Sequence, residues 1–197
     1  MRYLPINLDI RGKKVVIVGG GAVAERKCLN VLSAGGRVTV VSPTLTDTLR
    51  NLSEQGGIEH LPMEYSCGDL EDAFLVFAAT SDRKVNARVA EEARIRGIMA
   101  DITDAPDLGL FTSPALVNRG ELLITVSTGG EAPALAAKIR AELDEQYGRE
   151  YSQFIRILGR VREKLLTEKI NIQYNKQILL DLMDRDIPAL LKEGAYG

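Results

Sequence analysis

The sequence predicts an α/β fold built on a doubly wound parallel sheet, followed by a β-hairpin and a C-terminal helical region. Three observations carry that prediction. Val15-Val16-Ile17-Val18 and Val38-Thr39-Val40-Val41 are short, β-branched and almost wholly apolar runs, as strands buried on both faces of a parallel sheet require. Between them, Ala22 to Ala34 sets Cys28, Val31 and Leu32 at helical spacing and stops at Gly35-Gly36, a glycine stop that suits a helix C-terminus. The first strand passes into that helix through Gly19-Gly20-Gly21. Strand, glycine turn, helix and strand in that order form one βαβ unit.

The alternation continues. Ser42-Pro43 stops the second strand, Thr44 to Gln55 reads as a helix with Gly56-Gly57 beyond it, and Ile58 to Met63 is a candidate third strand. Phe74 to Ala79 is a further buried run, Val85 to Arg96 a helix stopped by Gly97, and Ile98 to Ile102 the next strand. The rhythm then breaks. Leu110–Val117 and Leu122–Val126 flank the turn-prone Asn118-Arg119-Gly120-Glu121, which predicts a hairpin added to the sheet. From Pro133 onward the pattern is helical. Pro133 suits a first helical turn, where its missing N–H is not needed, and Gly148, Gly159 and Pro188 are the expected interruptions. The expected division is residues 1–113, 114–147 and 148–197.

Composition narrows the function classes. The chain has 197 residues, 45% hydrophobic and 26% charged, enough for one domain with a sizeable core and a smaller appendage. A formal net charge of -2 provides no global positive field to gather nucleic acid or to coat an anionic membrane. No apolar run approaches the ~20 residues that span a bilayer, and Met1 to Ile6 lacks the apolar core of a signal peptide. A cytoplasmic, soluble protein is expected. Cys28 and Cys67 have no metal-type spacing, and the single histidine, His60, has no Cys or His near it in sequence, so no metal site is expected. Cys28 reads as a core residue, His60 as a residue near a strand at the surface, and both thiols as free.

Gly19-Gly20-Gly21-Ala22-Val23-Ala24 fits the dinucleotide fingerprint, with Gly19, Gly21 and Ala24 in its three special places. Gly19 allows the tight turn, Gly21 lets backbone approach a pyrophosphate, and Ala24 lets helix and strand pack closely. The helix N-terminus then offers N–H groups to phosphate. Without a ligand, the same string is simply a tight turn. The acid expected some twenty residues on is missing. Ser42-Pro43-Thr44 stands there instead, and Ser42 or Thr44 can meet a ribose through hydroxyl or backbone groups. No arginine follows immediately to hold a 2′-phosphate, so the expectation leans to NAD over NADP.

Ligands of doubly wound sheets bind outside the carboxyl ends of the strands. Thr80, Ser81 and Asp82 follow one strand there, and Asp101, Asp104 and Asp107 cluster beyond another. A carboxylate near a nicotinamide can take up a proton as a hydride leaves, although most loop aspartates are turn formers or helix caps. Ser127-Thr128-Gly129-Gly130, ahead of Pro133, is a second glycine turn before a helix. It is able to receive a ligand carboxylate, with Arg119, Lys138 and Arg140 nearby in sequence. The plainer alternative is a solvated hinge.

Taken together, Leu4-Pro5-Ile6, Val18 to Lys27, Ala78-Ala79-Thr80 with Val85-Asn86, Asp104-Ala105-Pro106 and Ser127-Thr128-Gly129-Gly130 occur in an order that resembles the precorrin-2 dehydrogenase / sirohydrochlorin ferrochelatase family, including the N-terminal part of siroheme synthases. The resemblance covers about residues 1 to 160 and implies a Rossmann-type NAD-binding domain. It further implies NAD-dependent oxidation of precorrin-2 to sirohydrochlorin in siroheme biosynthesis and, in some members, insertion of Fe2+ to give siroheme. By the same resemblance Asp104 is the catalytic aspartate, Ala22, Val23, Pro43 and Thr44 contact NAD, and the chain forms a homodimer. Cofactor contacts are expected at Gly19, Gly21, Ala22, Val23, Ser42, Pro43, Thr44, Ala79 and Thr80, and substrate contacts at Arg119, Ser127, Thr128, Gly129 and Lys138. The competing expectations are a non-catalytic module that senses NAD and a dehydrogenase of another anionic small molecule. The stretch from Asn171 onward matches nothing in the family.

Overall fold

The computed structural model describes residues 2–167, 172–185 and 187–193. It divides into two compact units, one ending at Ser113 and one beginning at Pro114.

In the first unit, β1 (Lys14–Val18), β2 (Arg37–Val41), β3 (Glu59–Leu61), β4 (Leu75–Ala78) and β5 (Met99–Ile102) form one sheet of order β3-β2-β1-β4-β5. All four pairings are parallel. This is the doubly wound order, with its reversal between β1 and β4. The apolar strands supply both faces. Val15, Ile17, Val38, Val40, Leu75 and Phe77 pack with Ala24, Cys28 and Val31 of α1 (Ala22–Ser33) and with Leu49 of α2 (Asp47–Glu54). Val16, Val18, Val41, Val76, Ala78, Ala100 and Ile102 pack with Val89, Ala90 and Ala93 of α3 (Arg83–Arg96) and with Tyr65 and Leu70. The period of two along each strand, doubled across two covered faces, explains the absence of polar alternation in the sequence.

Element ends differ from the sequence pattern where side chains redirect the backbone. The second helix starts at Asp47, not Thr44, because the Thr46 hydroxyl caps it by accepting from the Leu49 N–H. α3 begins at Arg83, ahead of Val85, because Asp82 accepts from the Lys84 and Val85 N–H groups. Gly97 closes that helix at φ 69°, a left-handed position suited to glycine. The third strand shrinks to Glu59–Leu61.

The second unit holds β6 (Ala115–Arg119) and β7 (Leu122–Val126), joined by Gly120-Glu121, with Gly120 at φ 73°. The expected hairpin is present, but it forms a two-stranded sheet of its own, which corrects the expectation that it joins the parallel sheet. Its first arm also starts later than expected. The N–H groups of Leu110 and Phe111 donate to the Ala100 carbonyl, and the Phe111 ring meets Phe77 edge-on at 5.7 Å. Those residues therefore stay with the first unit. α4 (Pro133–Gln146) packs on both hairpin strands, while α5 (Glu150–Thr167) contacts α6 (Ile172–Met183) and α7 (Ile187–Lys192). Gly148 falls between α4 and α5, and Pro188 lies in the first turn of α7. Gly159 does not interrupt: α5 runs through it. No helix among the described residues is long and apolar enough to cross a membrane.

Candidate functional site

The site in the first unit is built where β1, β2, β4 and β5 end. After β1, Gly19 adopts φ 120°, and a Cβ there would lie 2.5 Å from the Ala79 carbonyl oxygen. Its N–H donates to the Val41 carbonyl at 2.9 Å. A Cβ on Gly20 would lie 1.9 Å from the Thr44 carbonyl oxygen. These two glycines allow the backbone beyond β1 to pass between the ends of β4 and β2. Gly21 differs: it is exposed, and a Cβ on it would meet nothing within 4 Å. It forms the N-cap of α1, which no side chain caps. The first-turn N–H groups thus lack an intrahelical partner and face open space beside an exposed glycine. That arrangement fits a pyrophosphate, with Ala22 and Val23 in the turn that would hold it.

At the end of β2, the Ser42 hydroxyl donates to the Thr44 carbonyl at 2.8 Å. The Ser42 N–H donates to Leu61 and the Thr46 N–H to the Gly20 carbonyl. Ser42 is buried, whereas Pro43 and Thr44 are exposed. The Ser42 hydroxyl therefore shapes the loop and has no proton left for a ribose, and Thr44 is the group that remains open. The nearby Arg50 is engaged with Asp47 at 2.9 Å and with the Leu45 carbonyl. His60 lies in β3 with Nε2 at 2.9 Å from the Ser42 carbonyl oxygen, and so braces the same loop.

Beyond β4 and β5, one buried amide joins Thr80 to Asp104. Asn86 is 1% exposed. Its Oδ1 accepts from the Thr80 N–H at 3.3 Å and from the Thr80 hydroxyl at 2.8 Å. Its Nδ2 donates to the Thr80 carbonyl at 3.1 Å and to Asp104 Oδ1 at 2.7 Å. Asp104 Oδ2 faces Arg83, whose Nε is 3.8 Å away on a side chain 89% exposed. The three aspartates proposed as a cluster have separate fates. Asp101 is buried, paired with Lys27 Nζ at 2.6 Å, and accepts from the Ser113 N–H and hydroxyl. Asp107 pairs with Arg2 at the surface. Asp104 alone of the three combines a buried donor with an oxygen left near solvent. Asp82 is a helix cap.

Asn86 and Lys27 were absent from the sequence-based site. Both occupy core-facing helical positions: Asn86 with Val89, Ala90 and Ala93 of α3, and Lys27 with Ala24, Cys28 and Val31 of α1. A polar residue on an apolar helical stripe is the signal that was present, since such a group must be partnered to be buried. Glu92 shares this property. Burial pushes its carboxyl up, but the Tyr65 hydroxyl, the Gly68 N–H and Arg96 outweigh burial and hold it below the usual range. Burial, followed by the bond to that carboxylate, raises the Tyr65 phenol.

Burial likewise pushes the Cys28 thiol up to about 11, with Glu25 adding to the shift, so Cys28 is a core residue and a poor nucleophile. Cys67 is exposed and free. No group of three or more His, Cys, Asp or Glu able to hold a metal occurs among the described residues.

In the second unit, Arg119 is 15% exposed as a side chain and is taken up by structure. It donates to the Tyr147 carbonyl at 2.7 Å, the Asp144 carbonyl at 3.0 Å and Asp144 Oδ1 at 2.8 Å. It ties β6 to the end of α4, where a cation satisfies the last carbonyls. This geometry does not suit the expected substrate contact. Ser127 Oγ accepts from the Gly129 N–H and Thr128 Oγ1 from the Ala132 N–H, both at 3.2 Å. α4 itself has no side-chain cap and begins with Pro133. Lys138 is exposed, 3.9 Å from Glu142, and Arg140 is 3.8 Å from Asp144.

Comparison with known proteins places this geometry among relatives. A family model described as "Putative NAD(P)-binding" matches residues 6–115, and one described as "Sirohaem biosynthesis protein central" matches residues 119–146. A siroheme synthase of Pseudomonas paraeruginosa is 38% identical over 187 residues, which is 95% of this chain and 38% of that protein. A siroheme synthase of Methylobacillus flagellatus is 39% identical over 163 residues, 83% of this chain and 35% of that protein. The chain thus spans well under half the length of these curated relatives. The solved structure of SirC, precorrin-2 dehydrogenase, superposes with a TM-score of 0.79 at 25% identity, covering 95% of this chain and 92% of that one.

Proposed function

We propose, on the premise that the chain belongs to the NAD(P)-binding family of sirohaem-biosynthesis proteins, that it is an oxidoreductase converting precorrin-2 to sirohydrochlorin with NAD. The observation that carries the reading is the position of Asp104. It stands beyond β5, is bonded through Asn86 to Thr80 beyond β4, and shares the carboxyl edge of the sheet with the uncapped α1. Bound NAD supplies the hydride acceptor. The chain's own groups do the rest. Gly19 and Gly20 let the β1–α1 turn pass close to neighbouring backbone, Gly21, Ala22 and Val23 present N–H groups to the pyrophosphate, and Pro43 and Thr44 lie where the ribose end would rest. Ala79 and Thr80 stand at the nicotinamide side.

The oxidation removes a hydride and a proton from the macrocycle. Asp104 Oδ2, the oxygen not held by Asn86, receives the proton. Arg83 beside it offers a positive charge to a substrate rich in carboxylates. Residues 1–113 hold cofactor and base in this reading, and 114–147 form the substrate and dimer segment. Ser127, Thr128, Gly129 and Lys138 are the substrate contacts proposed there, since α4 begins without a side-chain cap. Leu123 and Leu135, about half exposed, offer apolar surface for a homodimer. Ferrous iron is a second substrate in the extended form of the reading: the macrocycle nitrogens bind the metal, and the chain need only accept displaced protons.

The test is an absorbance assay of precorrin-2 and NAD with wild-type protein and Asp104→Ala. Sirohydrochlorin is expected to form only with NAD. In Asp104→Ala the rate should fall by about 100-fold or more, while calorimetry still detects NAD binding. A mutant as fast as wild type would remove Asp104 from the mechanism. Wild-type protein that binds NAD and leaves precorrin-2 unchanged would refute the activity and favour a sensing module.

A further inference from the structure

We infer that Asn86 is a positioning residue for this oxidation: it fixes the carboxylate of Asp104 and ties it to Thr80, so that base and cofactor-side backbone move as one. The inference rests on the proposed role of Asp104.

The hydrogen bonds give the amide one orientation. Its oxygen faces two donors, the Thr80 N–H and hydroxyl, and its nitrogen faces two acceptors, the Thr80 carbonyl and Asp104 Oδ1. Turning the amide over would set its oxygen against the Thr80 carbonyl and the Asp104 carboxylate and its nitrogen against the Thr80 N–H, so these three partners, which cannot exchange donor for acceptor as the Thr80 hydroxyl can, fix the observed orientation. Both N–H groups of the amide are used, and its oxygen accepts from the Thr80 N–H and from the Thr80 hydroxyl, whose oxygen also lies 3.0 Å from the Asp82 carbonyl oxygen. At 1% exposure, water cannot stand in for any of them, and the arrangement is held by the cost of breaking buried hydrogen bonds.

The consequence falls on Asp104. A carboxylate on a turn is free to rotate, but with Oδ1 held at 2.7 Å by a buried N–H, Oδ2 is directed away from Asn86. Among the described residues the charged group facing Oδ2 is Arg83, at 3.8 Å, too long for a hydrogen bond and too exposed to hold the carboxylate still. Asp101 and Asp107 are engaged with Lys27 and Arg2. Orientation therefore comes from Asn86. Its other three bonds all go to Thr80, the residue after the Ala79 carbonyl that Gly19 approaches. The amide gains and loses no proton in the reaction. Its contribution is geometric, and small misplacements of a reacting group are costly to rate.

Asn86→Leu is the sharp variant, because it nearly keeps the side-chain volume, removes the N–H that holds Asp104 and sets no second carboxyl group beside it. Asn86→Ser is the second variant, and thermal melting monitors the fold of both. Each is made alone and in Asp104→Ala, and kcat and KM for precorrin-2 are measured beside the NAD dissociation constant. The single changes are expected to lower kcat roughly tenfold or more, with NAD affinity altered far less. In the Asp104→Ala background the same changes should have less than about a twofold effect, since residues that act as a unit are not additive. The substrate-free protein provides a readout independent of turnover: the Asn86 side-chain amide protons should exchange slowly with solvent and faster in Asp104→Ala. Equal losses in both backgrounds, or exchange indifferent to Asp104, would overturn the inference and leave the proposed function standing. Absence of precorrin-2 oxidation in the wild type would remove both.

Discussion

At the turn after β1, glycine is required by what passes beside it: the Ala79 and Thr44 carbonyls lie where Cβ atoms of Gly19 and Gly20 would be. At the turn before α4, Gly129 and Gly130 would meet nothing within 4 Å, but they adopt φ of 66° and 93°. There the requirement is only handedness. The same letters thus record close packing in one unit and local backbone shape in the other. The units behind the turns differ in kind as well. α1 is anchored by Lys27 and Asp101, both buried, whereas the paired charges Lys138 and Glu142 on α4 are both exposed. The first turn, proposed to hold phosphate, stands on a buried ion pair. The second turn stands on a half-exposed hairpin and helix.

The contrast can be broken by substitution, with the largest effect expected at Lys27. Lys27→Met leaves Asp101 buried without its cation and should cost about 3–5 kcal/mol in chemical denaturation, while Lys138→Ala should change stability by less than about 0.5 kcal/mol. Equal effects would mean that burial does not separate the two units. Next come the turns themselves. Gly20→Ala forces the Thr44 carbonyl to move and should cost about 2–3 kcal/mol with loss of NAD binding by calorimetry. Gly129→Ala should cost about 1 kcal/mol through strain alone and leave NAD affinity intact. NAD affinity lost in both would erase the distinction.

The next contrast is a pH-dependent one at Glu92. Its carboxyl is held below the ordinary value, so the folded state binds its proton more weakly than the unfolded chain does. The resulting stability is complete above the unfolded carboxylate value, about 4.3, and is lost as pH falls through the lower folded one. Melting curves should therefore place Glu92→Gln below wild type at pH 7 by on the order of 1 kcal/mol, with the gap closing under acid. A gap constant from pH 7 to pH 3 would mean that the carboxylate charge contributes nothing.

The parallel sheet, its helices and the glycine turn between β1 and α1 were legible because each has a local signature: β-branched runs, helical spacing, and glycine between them. Asp104 was legible as one of three aspartates grouped near the end of the last strand of the sheet, of which Asp101 proves to lie within β5, and only the resemblance raised it above Asp101 and Asp107. The three are separated by partners that lie far apart in sequence: Lys27 for Asp101, Asn86 for Asp104 and Arg2 for Asp107. The same cause hid the engagement of Arg119, whose acceptors lie on the last turn of α4 and just beyond it. Ser42 and Thr44 looked equivalent as hydroxyls. A hydrogen bond between side chain and backbone two residues apart made one structural and left the other open. Sequence pattern reports which residues face a core, and long-range partners decide what a polar residue is free to do.

The place of β1 at the centre of the sheet also sets an order of events during synthesis. Val15–Val18 gains its first neighbour when Arg37–Val41 has emerged, but its other edge pairs with Leu75–Ala78, which is made only after β3 and the segment that follows it. Until then the nascent chain carries an apolar strand with one open edge, the kind of surface that invites wrong pairing. A ribosome pausing between β3 and β4 would lengthen that exposure, and one pausing after β4 would not.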